Sequence, residues 1–193
     1  MLPKTSRISR LCAALAVWVA LSMTLAPNAS ADQTDPMLDE LFATLQTTSD
    51  PAEAAAADRT IWQIWTASGD DAIDRLMQTG LIAMQTGQLA AAEAMFSEII
   101  ALRPNFAEGW NKRATVRYLQ GDWDGSIADC GQTLALEERH YGALSGLGLI
   151  YMAKGDDAVA LEWFERALAI NPHMAGVRDH ITALRKALRG RRI

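Results

Sequence analysis

Cysteine is nearly absent from this chain: 193 residues contain two, Cys12 and Cys130. A disulfide-stapled scaffold and a thiolate metal cage are excluded by that count alone. Histidine is almost as rare, with His140, His173 and His180 the complete set. None stands at the spacing of a zinc site, and no Gly-x-Ser-x-Gly elbow or phosphate loop occurs. Runs of β-branched residues are missing, which removes the ordinary signature of a sheet. Proline and glycine, at 6 and 13 residues, are too few for a disordered or collagen-like chain. Basic residues are outnumbered, 18 against 23 acidic, so the chain has no general attraction for nucleic acid or anionic lipid. What is abundant is alanine and leucine within a composition that is 50% hydrophobic, and that combination favours helix around a real core.

Residues 1–31 read as a secretory signal and not as part of the fold. Lys4, Arg7 and Arg10 form a positive start, "LCAALAVWVALSMTL" from Leu11 to Leu25 is an apolar run, and "APNASA" closes it on small residues ending at Ala31. The run is short for a membrane span, so stable insertion after cleavage is not expected; an uncleaved N-terminal anchor is the alternative. Cleavage after Ala31 removes three basic residues and no acidic one, taking the formal net charge from −5 to −8. It also removes Cys12. The mature chain then holds one cysteine and forms no internal disulfide in the oxidising compartment beyond the membrane, periplasmic or secreted.

The organisation of the rest is set by an internal repeat. Residues 73–106, 107–140 and 141–174 align without gaps as three stretches of 34 residues. Their eighth places are Gly80, Ala114 and Gly148, and their twentieth Ala92, Ser126 and Ala160, small in every copy. The fourth places are Leu76, Trp110 and Leu144; the twenty-fourth are Phe96, Cys130 and Phe164. Glycines recur at Gly87, Gly121 and Gly155, and Pro104 and Pro172 close two of the three units. The period and these residues resemble the tetratricopeptide repeat, a helix-turn-helix unit. The resemblance implies an all-α fold, a right-handed α-solenoid with helical caps at both ends.

The resemblance also settles how "GDWDGSIADC" should be read. A calcium loop would need further oxygen ligands at alternate positions after Asp122 and Asp124 and a terminal glutamate, and none follows. Asp122 and Asp124 are instead expected at the start of a helix, where an acid caps free amides and suits the helix dipole. Cys130 is expected as a buried, unreactive thiol. Arg113 and Arg117 depart from the apolar residues usual at their places. They share a helical face and require carboxylates, for which Asp129, Glu137 and Glu138 are nearest in sequence, or else an anion.

The flanks are helical too. Residues 32–72 contain an amphipathic stretch with Leu38, Leu41, Phe42 and Leu45 on one face. A second helix begins at Asp50-Pro51, with Glu53 closing a capping box, and carries Ile61, Trp62, Ile64 and Trp65. This pair is expected to stack on the first repeat as a cap. Residues 175–189 form a closing helix with Val177, Ile181, Leu184 and Leu188 inward, followed by a basic tail, 190–193. About nine helices and no strand are expected.

For function, the resemblance implies a concave groove lined by the first helix of each repeat. Its second, fifth, ninth, twelfth and thirteenth places include Met77, Leu81, Met84, Asn111, Thr115, Tyr118, Ser145, Leu149 and Met152. Relatives that clamp a peptide carboxylate use lysine and asparagine at places held here by Met77 and Leu81, so that clamp is missing. A methionine-rich groove suits apolar or helical segments of varied shape. The expected function is therefore an exported, non-enzymatic scaffold or adaptor for protein partners, with no cofactor, no metal and no nucleic acid. A binding module for an envelope polymer or lipid in the same groove is the alternative.

Overall fold

The computed structural model describes residues 32–190, so the expected signal segment and the last three residues lie outside the described residues. Among the described residues there are nine helices and no strand: α1 (Met37–Thr47), α2 (Pro51–Thr66), α3 (Asp71–Gln85), α4 (Leu89–Leu102), α5 (Ala107–Gln120), α6 (Trp123–Leu136), α7 (Tyr141–Ala153), α8 (Asp157–Ile170) and α9 (Ala175–Gly190). Helices α3 to α8 pair as three hairpins, each packed on the next, and α9 packs on α8, which makes an α-solenoid.

Local chemistry sets the ends of these helices. Asp70 accepts hydrogen bonds from the amides of Ala72 and Ile73, Asp122 from that of Gly125, and Asp50 from that of Ala52. Glu53 does not close a capping box: it takes the Thr48 hydroxyl, while the Asp50 amide turns to Thr48 Oγ1. Helix α2 ends at Thr66, and Gly69 follows in the left-handed region at φ 74°. Gly87, Gly121 and Gly155 turn each hairpin with φ between 74° and 82°, a conformation costly for a residue with a Cβ.

The small eighth places have a definite partner. A Cβ built on Gly80 would stand 2.6 Å from the Phe96 ring, and one on Gly148 would stand 2.6 Å from the Phe164 ring. The phenylalanine at place twenty-four is thus seated in the glycine notch of its own repeat. In repeat two the pair is Ala114 and Cys130. These join Leu147 and Ile150 in one core cluster and leave a cavity of about 140 Å³ beside them. Cys130 is buried there, and burial first, then the neighbouring Asp129, pushes its thiol up to about 12, so the thiolate that would react is suppressed.

Arg113 and Arg117 are paired internally. Arg113 grips Asp129 with two bonds of 2.8 Å and reaches Ser97 Oγ at 3.2 Å. Arg117 donates to Asp129 at 2.9 Å and to Glu93 at 3.0 Å. Asp129, one of the three expected partners, is nearly inaccessible to solvent, and it ties α5 to α6 while Glu93 extends the network to α4. Glu137 serves Arg139 instead. Asp122 holds the Gly125 amide, and Asp124 pairs with Lys154 at 3.0 Å.

The N-terminal pair corrects an expectation. α1 and α2 close a small core of their own from Leu38, Phe42, Leu45, Ala54, Ala57 and Ile61. They do not sit as a lid on repeat one. Their core continues into Tyr141, Ile170 and Met174, α2 touches α5, and α1 touches α8. The segment thus lies along the starts of the first helices of repeats two and three, because that is where its aromatic face finds acceptors of matching shape.

Candidate functional site

Two cavities open on the face built from α5 and α7. The larger, about 700 Å³, has a floor made by Tyr141, Gly142, Ser145 and Leu149 with Phe164 beneath. One wall is α2, with Pro51, Ala54, Asp58 and Trp62; the other is the start of α9 and the turn before it, with Asn171, His173, Met174, Val177 and His180. The smaller lies across α7 toward α5 and is lined by Asn111, Thr115, Tyr118 and Cys130. Gly142, Ser145 and Leu149 line both, so the two spaces adjoin over α7.

α7 carries more glycine than the repeat requires, and the structure shows what one of these, Gly142, is for. A Cβ on Gly142 would stand 2.6 Å from Cη2 of Trp62, so the absence of a side chain admits the indole. A Cβ on Gly146 would be 3.7 Å from Cys130 Sγ, ordinary contact, and its absence leaves part of the smaller cavity open.

Beneath α2 lies a buried polar cluster. His140 Nδ1 accepts the amide of Ala143 and so caps α7; its Nε2 is 2.9 Å from Glu108 Oε2. With Nδ1 an acceptor, Nε2 carries the proton and donates it to Glu108. Asn111 donates to the same carboxylate oxygen at 3.0 Å. Glu108 Oε1 meets the Lys112 ammonium at 2.8 Å, a contact more ionic than directional. Glu108 is 1% exposed, and burial alone would raise its pKa; Lys112 and His140 outweigh that and hold it at about 2. Trp65 stacks on His140 with centroids 4.0 Å apart and planes at 12°, and Lys112 Nζ lies 5.1 Å over the Trp62 ring. Asp58 Oδ1 accepts from the Tyr141 hydroxyl at 2.7 Å and from Asn171 Nδ2 at 2.9 Å. Tyr141, buried first and beside Asp58 second, is held in its protonated form well above the usual phenol range.

These positions revise the expected groove. Ser145 and Leu149 form the floor of the large cavity, and Asn111, Thr115 and Tyr118 line the small one. Met77 is 3% exposed and belongs to the core of repeat one with Ile73, Phe96 and Phe106. Leu81 and Met84 pack partly against that same core, and Met152 against the core between α8 and α9. The methionine lining is therefore not what the cleft presents; the methionine that lines it is Met174. Asp58 escaped the sequence reading, and Trp62 and Val177 were expected in the end caps and not as walls of a binding cleft. The surplus Gly142 of "GALSGLG" is the signal that another element comes close there.

The comparisons with known proteins agree with this architecture. The tetratricopeptide repeat model matches residues 77–132 and 120–175, together more than half of the chain. The chain belongs to the tetratricopeptide repeat family. A repeat-containing protein of this family from Rhizobium etli is 36% identical over 155 residues, 80% of this chain and 76% of that one. Tetratricopeptide repeat protein 36 of Xenopus tropicalis is 35% identical over 104 residues, and the chain spans about half its length, 52%. Among solved structures, the first repeat domain of Spaghetti (RPAP3), bound to an HSP90 peptide, superposes with a TM-score of 0.58 at 19% identity, covering 60% of this chain and 92% of that one. The likeness to that structure concerns the fold.

Proposed function

We propose that this protein is an exported bacterial scaffold that takes a segment of a protein partner in the cleft between α2 and α9. The observation that carries the reading is the cleft itself. At about 700 Å³ it is of ligand-binding size, with an apolar floor and a few fixed polar groups at its edges. Family membership supports a protein partner, since the related RPAP3 domain holds a peptide from HSP90. The carboxylate clamp implied for such relatives has no counterpart at Met77 and Leu81, and Met77 is buried. The favoured segment is therefore apolar and internal, not a free acidic C-terminus. The role is binding without catalysis. Among the described residues no three metal-ligating side chains cluster, and none of the helices is long and apolar enough to cross a membrane.

A photo-crosslinking residue placed at Ser145 or Arg178 is expected to trap a protein partner in intact cells, whereas one at Glu162, exposed on α8, is not. Adducts from Glu162 alone would put the binding surface on the opposite side. Lipid or polymer copurifying in native mass spectrometry, lost on Leu149→Glu, would transfer the cleft to a non-protein ligand.

Export rests on the order of charge, apolar run and small residues in 1–31, and the bacterial assignment on a relative in Rhizobium etli. Mass spectrometry of the protein from its native source is expected to show a chain starting at Asp32. A full-length chain retained in carbonate-washed membranes would support the uncleaved anchor instead.

A further inference from the structure

The contacts of α2 with the repeats read as a bound helix in its receptor. Three separate parts of the solenoid supply the receptor: Glu108 and Lys112 of α5, His140 with Tyr141 and Gly142 at the start of α7, and Asn171 in the turn after α8. On α2 the matching groups are an acid, Asp58, then indoles at Trp62 and Trp65, four and seven residues on, which places all three on one face. Each has its own socket. Asp58 is held by a phenol and an amide, Trp62 occupies the notch over Gly142, and Trp65 lies flat on His140.

We propose that this face of α5 and α7 is a receptor for an amphipathic helix bearing an acid followed by indoles one and two turns later. In this chain α2 fills it in cis as a displaceable resident, and a helix of the same pattern in a partner competes for it. The inference goes beyond the cleft reading and is tested apart from it.

Two features mark the resident as displaceable. The α1–α2 hairpin packs its two helices on each other through Leu38, Phe42, Leu45, Ala54, Ala57 and Ile61, and its attachment to the repeats combines the apolar contacts of Tyr141, Ile170 and Met174 with polar ones: Asp58 to Tyr141 and Asn171, Arg139 to Asp39 at 2.6 Å, and His173 Nε2 to the Leu45 carbonyl at 3.0 Å. Interfaces of this mixed polar and apolar kind ordinarily permit relative motion. In addition, Trp65 Nε1 is buried with no hydrogen-bond partner, an imperfect match between helix and receptor. The short tether Ala67–Asp70 keeps the resident at an effective concentration on the order of millimolar, so a competitor in trans gains access chiefly when the resident is weakened.

The test uses the full chain and a fluorescein-labelled peptide with the sequence of residues 50–66. In the doubly substituted chain Trp62→Ala/Trp65→Ala, the receptor is intact and its resident weakened. That chain is expected to bind the peptide at least tenfold tighter than the unsubstituted chain does. Adding Gly142→Leu should abolish the gain, and a peptide carrying the same two alanines should bind neither chain. A folded double variant, judged by circular dichroism, that binds the peptide no better than the unsubstituted chain overturns the proposal. If the double variant does not fold, hydrogen exchange of the unsubstituted chain decides. Amides of α1 and α2 exchanging at least tenfold faster than those of α7 and α8 support a detachable hairpin. Exchange of all four only through global unfolding overturns it. Loss of crosslinking from Ser145 and Arg178 with peptide exchange intact would sink the cleft reading and leave this one standing.

Discussion

Gly148→Leu is expected to destabilise the solenoid by about 3 kcal/mol or more, the upper end of what overpacking costs. Leucine has a better helix propensity than glycine by roughly 0.8 kcal/mol, which works in the opposite direction. The steric effect wins because even the first added carbon would lie 2.6 Å from the fully buried Phe164 ring, before the rest of the side chain is placed. Retreat of Phe164 toward α9 is blocked, since it packs in the same cluster as Val177, Ile181 and Leu184. The melting temperature should fall by roughly 6–12 °C for a chain of this size. Gly131→Ala is the control of opposite sign. Gly131 lies inside α6 with nothing within 4 Å of an added Cβ, so alanine should raise stability by about 0.5–1 kcal/mol. Thermal and urea unfolding of both variants measure the difference. Equal destabilisation by the two would mean that the glycine notch does not govern helix pairing.

Glu108→Gln is expected to cost roughly 2–3 kcal/mol at neutral pH, and the cost should vanish in acid. Glutamine keeps an acceptor for the His140 Nε2 proton but loses the ion contact with Lys112. The carboxylate titrates at about 2 in the folded protein against an ordinary 4.5, a difference worth roughly 3 kcal/mol. Its folded value is depressed, so the stabilisation is complete above the unfolded value and disappears as pH falls from about 4.5 to 2. Urea denaturation at pH 7 should separate the variant from the parent, and at pH 2.5 the gap should shrink to about 1 kcal/mol or less. A gap independent of pH would show that Glu108 acts through packing and not through charge.

Much of the repeat architecture was legible because local chemistry fixes each turn between helices. Gly121 ends α5 in the left-handed region and Asp122 starts α6, and both roles follow from residue type and position. Arg113 and Arg117 demanded a carboxylate, and Asp129 was nearby in sequence. Glu93, the second partner of Arg117, belongs to the preceding repeat, and no local rule selects it. The groove was less legible. Met77 stands at a place that family geometry assigns to the open surface, yet in repeat one it is covered by its own neighbours. Apolar side chains such as Met84 and Met152 satisfy either a groove or a partial core, and their identity does not distinguish the two.

The sequence by itself determined the helices, their order and their pairing. The 34-residue period, the small eighth and twentieth places and the turn glycines leave one hairpin repeat as the arrangement that buries each apolar stripe. It also determined that the segment before the repeats holds two amphipathic helices, α1 and α2. Only the tertiary structure decided where that pair docks. Capping repeat one and lying across α5 and α7 both bury an aromatic face, so hydrophobic pattern, which is non-directional, does not choose between them. The choice came from directional contacts between residues far apart in the chain: Asp58 with Tyr141 and Asn171, Trp62 in the notch of Gly142, and Trp65 on a histidine held by Glu108. Those contacts also raise one wall of the cleft, so the shape of the binding surface depends on them as much as on the repeats.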